Sequence, residues 1–167
     1  MDTQHGRPCS LAAALGLVGD RWALLAVREV MFGNHRFNEI ARNTAAPRDR
    51  LAARLKALVA AGILERRQYQ SSPPQHDYHL TAAGRELLPA LHALRAWGDK
   101  WAVDEPPLRA EHHGHPIRPY LACATCGEPV REDDVELIST APDWDITGPK
   151  RRAEAAVPAP EPTHGRT

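Results

Sequence analysis

The chain has 167 residues, enough for one ordinary domain or for a domain of about 100 residues with an appendage. Its 21 basic and 21 acidic side chains cancel, and that balance, taken whole, argues against a polyanionic partner. No apolar run approaches the roughly 18 residues of a membrane span, and the opening MDTQHGRPCS lacks the basic-then-apolar order of a secretory signal. Three cysteines, one isolated and two in a C-x-x-C, make no disulfide framework, so a cytoplasmic protein with reduced thiols is expected.

In chain order, Ser10 is a candidate N-cap for a helix through LAAALGLV, ended by Gly19. Asp20 caps a second helix, in which Trp22, Leu25, Ala26 and Val30 recur at helical spacing toward a core, and Gly33 stops it. NHRF is short and extended. Phe37 or Asn38 opens a short helix that can bury Ile40 and Ala41. Pro47 suits the first turn of the next helix, over 47–61, where Leu51, Leu55 and Leu58 form one apolar stripe before Gly62. ILERRQYQ and HDYHL read as two strands of a hairpin. The SSPPQ between them predicts a projecting loop, not a tight turn. Thr81 caps a long final helix over 82–101, bent at Pro89, with Leu87, Leu88, Leu91, Leu94 and Trp97 on one side.

This order of elements predicts a mainly α fold with a small β-hairpin: a winged helix-turn-helix with an extra C-terminal helix, over residues 1–103. After DEPP the character changes. Residues 104–140 are rich in Pro, Gly and His and carry YLACATCGEPV, which reads as a short zinc-ribbon-like extension. Residues 141–167 show no periodicity and read as a disordered tail.

Charge follows the same division. Residues 1–102 hold 14 basic and 9 acidic side chains, a net of +5, whereas residues 103–167 hold 7 and 12, a net of −5. Residues 36–67 alone carry 8 against 3. With Leu51, Leu55 and Leu58 facing inward, the second helix of the helix-turn-helix turns Arg48, Asp49, Ala52, Ala53 and Lys56 outward, flanked by Arg50 and Arg54. In this geometry the N-terminal end of that helix meets base edges in the major groove, where Arg48 or Arg50 can reach guanine with two hydrogen bonds. Small residues at Ala52 and Ala53 permit close approach. Arg36, Arg42 and Arg54 fit phosphates, and Arg66, Arg67 and Gln70 put basic flanks on the wing. Each arginine taken singly is equally an ordinary solubility residue. No phosphate-binding glycine loop, H-E-x-x-H or nucleophile elbow points to an enzyme.

A Cys just before the first helix, then GDRW, LLAVREVMFG, RFNEIAR, LAARLKALVAAGILERR and YHLTAAG, resembles the HxlR-type winged-helix regulators of bacteria, relatives of the MarR group, over residues 9–102. The resemblance implies a transcriptional regulator, read as a repressor, that binds double-stranded DNA as a homodimer through its first and last helices. It also implies that Cys9 can sense oxidants, as the cysteine at this place does in some relatives. A helix N-terminus favours thiolate there, and the alternative is a small apolar residue packed at the dimer seam. Where relatives commonly carry Gly-(Ile/Val)-Ser before the recognition helix, this chain has Ala45, Ala46, Pro47 and Arg48, which puts the helix start in question. His112 and His115 precede Cys123 and Cys126 and complete a candidate four-ligand zinc set, against a ribbon that has lost its metal. A redox C-x-x-C is less favoured, because no βαβ pattern surrounds it. The alternative function is a winged-helix protein-interaction module without specific DNA binding, in which the acidic tail docks a partner.

Overall fold

The computed structural model describes residues 7–148. Six helices and one hairpin make the main body: α1 (Ser10–Val18), α2 (Arg21–Met31), α3 (Phe37–Thr44), α4 (Arg48–Ala60), β1 (Leu64–Ser71), β2 (Pro74–Leu80), α5 (Ala82–Glu86) and α6 (Leu88–Trp101). A two-residue-strand hairpin, β3 (Glu111–His112) with β4 (His115–Pro116), and a short 3-10 turn at Glu132–Asp134 follow. This is the expected mainly helical fold with a winged helix-turn-helix order.

The core lies between α2, α3, α4 and the base of the hairpin. Ala26, Val27, Ile40, Leu51, Leu55, Leu58 and Leu64 are essentially inaccessible to solvent. The stripe expected on α4 is the one that is buried. On α2 the buried face is Ala23, Ala26, Val27 and Val30; Leu25 is only half-buried, and Trp22 packs at the edge of the cluster. The same face buries a charge. Glu29 is 3% exposed and accepts hydrogen bonds from Arg28, from Asn34 Nδ2 (2.7 Å) and from Asn43 Nδ2 (2.9 Å). Burial pushes its carboxyl up. The bonds from Asn43 and Arg28, the Arg28 charge and the bond from Asn34 outweigh that and hold it below its ordinary value. One carboxylate thus ties the end of α2 to the following turn and to the end of α3.

The helix boundaries have local causes. Asp20 accepts from the Trp22 N–H at 2.9 Å, as expected of a cap. Ser10, expected to cap α1, is instead its first residue. Cys9 takes the cap position with no side-chain cap bond. Arg36 precedes α3, with its N–H donating to Glu39 Oε2 at 3.0 Å. Gly62 ends α4 at φ +69°, a conformation open to glycine. Thr81 caps α5 through the Gly84 N–H at 3.1 Å and donates its hydroxyl hydrogen to the Gly62 and Ile63 carbonyls. A Cβ at Gly84 would lie 2.2 Å from the Ile63 carbonyl oxygen, so glycine permits α5 to close on the base of β1.

Two expectations are corrected. The wing tip is tight, not an open loop: Ser71 pairs with Pro74, which leaves only Ser72 and Pro73 in the turn. Pro74 is the first residue of its strand, a place where a missing N–H breaks no ladder bond. The final helix is interrupted, and ahead of Pro89 rather than at it. It splits at Leu87 into α5 and α6, with Pro89 in the first turn of α6, where the absent N–H leaves Arg85 without a helical donor. Of the tail expected over 141–167, residues 141–148 are described, and Asp145 accepts from the Thr147 and Gly148 N–H groups in a turn. The remainder of that expectation lies outside the described residues. Among the described residues no single helix is long and apolar enough to cross a membrane.

Candidate nucleic-acid interface

The turn between α3 and α4 sets the angle at which α4 is presented. Ala45 sits at φ +53° in the left-handed region, where a Cβ costs about 1–2 kcal/mol. Thr44 Oγ1 donates to the Ile40 carbonyl (2.7 Å) and accepts from the Ala46 N–H (3.3 Å), bracing the turn. Pro47 then precedes α4 with extended ψ, and no side chain caps the helix. The chain departs here from the Gly-x-Ser pattern of the resembling family, yet α4 starts cleanly at Arg48. Its first-turn N–H groups are left for an outside acceptor.

The outer face of α4 carries Arg48, Arg50, Ala52, Ala53 and Lys56, all exposed, opposite the buried leucines. Arg50 and Lys56 make no hydrogen bond or ion pair within the described residues and are free to reach outward. Arg48 is held back toward α3: its Nη2 donates to Asn38 Oδ1 at 3.0 Å and its guanidinium lies 4.8 Å from the Phe37 ring centroid. Arg54 is half-buried and pairs with Asp20 at 3.3 Å, which joins α4 to the start of α2 and leaves it little reach. Arg42 is exposed and bonded only to its neighbour Asn43, at 3.3 Å.

Beside α4, the start of α3 and the wing enclose a cleft of about 470 Å³ lined by Arg36, Asn38, Arg66, Tyr69, His76 and others. Arg36 stacks 4.9 Å from the Tyr69 ring centroid, and Arg66 Nη2 donates to His76 Nδ1 at 2.8 Å. Arg36 also bridges to Asp77 and so adds a third, one-residue strand to the wing. Strand alternation sends Arg67 to the other face, where it pairs with Glu65 and lines a separate cavity with Met31, His35, His79 and Arg85. Gln70 is half-buried and donates to the Ser72 carbonyl at 3.0 Å, supporting the tip. Of the eleven residues expected at the interface, Arg36, Arg42, Arg48, Arg50, Ala52, Ala53, Lys56 and Arg66 stand exposed on or near one face. Arg54, Arg67 and Gln70 serve internal contacts.

Sequence reasoning missed Asn38, Tyr69 and His76. Tyr69 is the extra residue of a β-bulge, since Gln68 pairs with His76 and Gln70 with Gln75. The bulge re-aims its ring at Arg36, where period-two counting places it elsewhere. His76 was legible in principle, two pairs along the ladder from Arg66 and so on the same face.

The other singled-out residues lie away from this face. Cys9 is exposed at the start of α1. His112 and His115 flank the β3–β4 turn with ring centroids 5.8 Å apart. Cys123 and Cys126 lie in a separate tight loop, where hydrogen bonds from the N–H groups of Cys126 and Thr125 and from the Cys126 side chain lower the Cys123 thiol to about 7. Among the described residues no three His, Cys, Asp or Glu side chains gather into a set able to hold a metal, so the two pairs are not brought together.

The description "HxlR-like helix-turn-helix" applies to a family model that matches residues 17–106. The chain is 43% identical over 130 residues to the Uncharacterized HTH-type transcriptional regulator Rv3095 of Mycobacterium tuberculosis, spanning 75% of this chain and 82% of that protein. Among solved structures it is similar to PA1607, assigned as a transcription factor, with 30% identity, a TM-score of 0.70, and coverage of 81% of this chain and 96% of the other. It is also similar to the redox regulator HypR in its reduced form, with 30% identity, a TM-score of 0.52, and coverage of 55% and 92%.

Proposed function

From the premise that the chain belongs to the HxlR-like helix-turn-helix family and is a transcriptional regulator with a helix-turn-helix DNA-binding domain, we propose that it is a sequence-specific repressor acting as a homodimer in the cytoplasm. The observation that carries this reading is the outer face of α4: Arg50 and Lys56 uncommitted, Ala52 and Ala53 small, the first turn uncapped, all opposite a stripe of buried leucines. In the major groove, Arg50 reads guanine and Arg48 fixes the approach through Asn38. Arg36, Arg42 and Arg66 contact phosphates on either side.

The dimer reading rests on two uncovered apolar surfaces. Leu11, Leu15 and Leu17 of α1 are exposed, and so are Leu94, Trp97 and Trp101 of α6; α6 has no buried residue at all. Leucines and tryptophans at this exposure on the first and last helices fit a self-complementary contact. A dimer seated over a promoter blocks it by occupancy. The similarity to HypR, together with an exposed Cys9 beside the α1 surface, supports thiol control of that dimer.

Fluorescence anisotropy on sequences selected from a random pool tests the DNA reading. Arg50→Ala is expected to weaken the selected site about 10- to 100-fold while leaving random duplex nearly unchanged, as loss of a bidentate base contact does. Arg42→Ala is expected to weaken both alike and to reduce the salt slope by about 1. Binding untouched by Arg50→Ala and Lys56→Ala together rejects the groove reading and leaves a protein-interaction module. Cys9→Ser is expected to remove any change of affinity on oxidation.

A further inference from the structure

The segment after α6 holds a loop built around the C-x-x-C pair. Ala122 and Pro129 form an antiparallel bridge. Cys123 N–H donates to the Glu128 carbonyl (2.9 Å), Val130 N–H to Leu121 (2.8 Å) and Gly127 N–H to Cys123 (2.7 Å). Gly127 closes the turn at φ +76°. Two sulfurs three residues apart, in a turn closed by these bonds and by a left-handed glycine, make a cradle for thiolates that bind a metal.

The cradle is half a site. A closed structural zinc site takes four ligands, and no third donor stands with this pair among the described residues. The surface around it is unfinished too. Tyr120, Leu121, Leu137 and Ile138 are each about 70% exposed, and no residue over 103–148 is buried. The segment leaves the end of α6 and returns to the approach to α1, where Arg7 Nη2 donates to the Ile146 carbonyl at 2.7 Å. Its two ends thus lie at the end of α6 and at the residues just before α1.

We propose that Cys123 and Cys126 are half of a four-thiolate zinc site completed by the same two cysteines of a second copy of the chain. The proposal rests on the homodimer reading above. The second copy supplies the missing donors in equal number and covers the exposed apolar residues beside them. A soft four-sulfur set selects zinc among common divalent ions.

The test is titration of the reduced, metal-free full chain with Co2+, followed by displacement with Zn2+. The expected endpoint is one metal per two chains, with the near-ultraviolet thiolate-to-cobalt band at four-thiolate intensity. Cys123→Ser and Cys126→Ser each abolish it, while His112→Ala with His115→Ala leaves it intact. No uptake, one metal per chain, or loss in the histidine variant overturns the proposal, the last two pointing to a site within one chain. Circular dichroism checks that the cysteine variants keep their helices, since the core lies elsewhere. Light scattering on the metal-free protein separates the two readings: a dimer that takes no metal removes the shared site alone, and a monomer with or without metal removes both.

Discussion

The body over residues 10–101 and the segment over 103–148 are built from the same chain by different rules. The first buries thirteen apolar side chains in one cluster fed by α1, α2, α3, α4 and the base of the wing. The second buries none and holds its shape with turns and short bridges. A long stretch without a core needs a staple or a partner surface. The contrast explains why the exposed side chains of α4, carried by the first region, are set on a rigid base, and why the cysteines of the second find no third donor among the described residues.

The largest effect expected to sharpen that contrast is in the core. Leu55→Ala is expected to cost about 2–5 kcal/mol in denaturant unfolding, whereas Leu137→Ala in the metal-free chain is expected to stay within about 0.5 kcal/mol. Equal losses at the two positions would erase the distinction. Next comes the one buried charge of the core. Glu29→Ala leaves three donors short of an acceptor and is expected to cost about 1–3 kcal/mol. Because the folded carboxyl titrates below its ordinary 4.5, its contribution is complete above that pH and disappears as pH falls through the lower folded value. Unfolding curves of the native chain should therefore weaken in acid more than those of Glu29→Ala; parallel curves would refute the role. The smallest effect is a gain. Ala45→Gly relieves a left-handed Cβ but loosens the unfolded chain, for a net of about 0.5–1 kcal/mol in thermal unfolding. A loss instead would show that the turn depends on the alanine.

The parts legible in the sequence are those where one period governs. Leu51, Leu55 and Leu58 keep the helical repeat through an unbroken run, and the same repeat gives the outward face of α4. Asp20 and Thr81 announce their caps because their side chains act on residues two or three ahead. Features made by distant partners were hidden. Glu29 falls on the core face by period, but its burial depends on Asn34 and Asn43, which belong to other elements. Tyr69 needs a bulge that alternation does not foresee. Two prolines suggested a wide wing tip, although one of them simply begins an edge strand. The pairing of His112 and His115 with Cys123 and Cys126 followed from closeness in sequence, and two independently closed turns keep them apart.

The break at Leu87 has a mechanical consequence. Everything before it is locked to the DNA-facing body, because Gly84 is pressed on the Ile63 carbonyl and Thr81 holds the end of α4. After it comes α6, a rod of 14 residues, about 21 Å long, whose first turn still packs on the core through Leu91 and whose far end carries Leu94, Trp97 and Trp101 out into solvent. In the proposed homodimer, whatever gripped the far ends of these rods would set the distance between the two copies of α4.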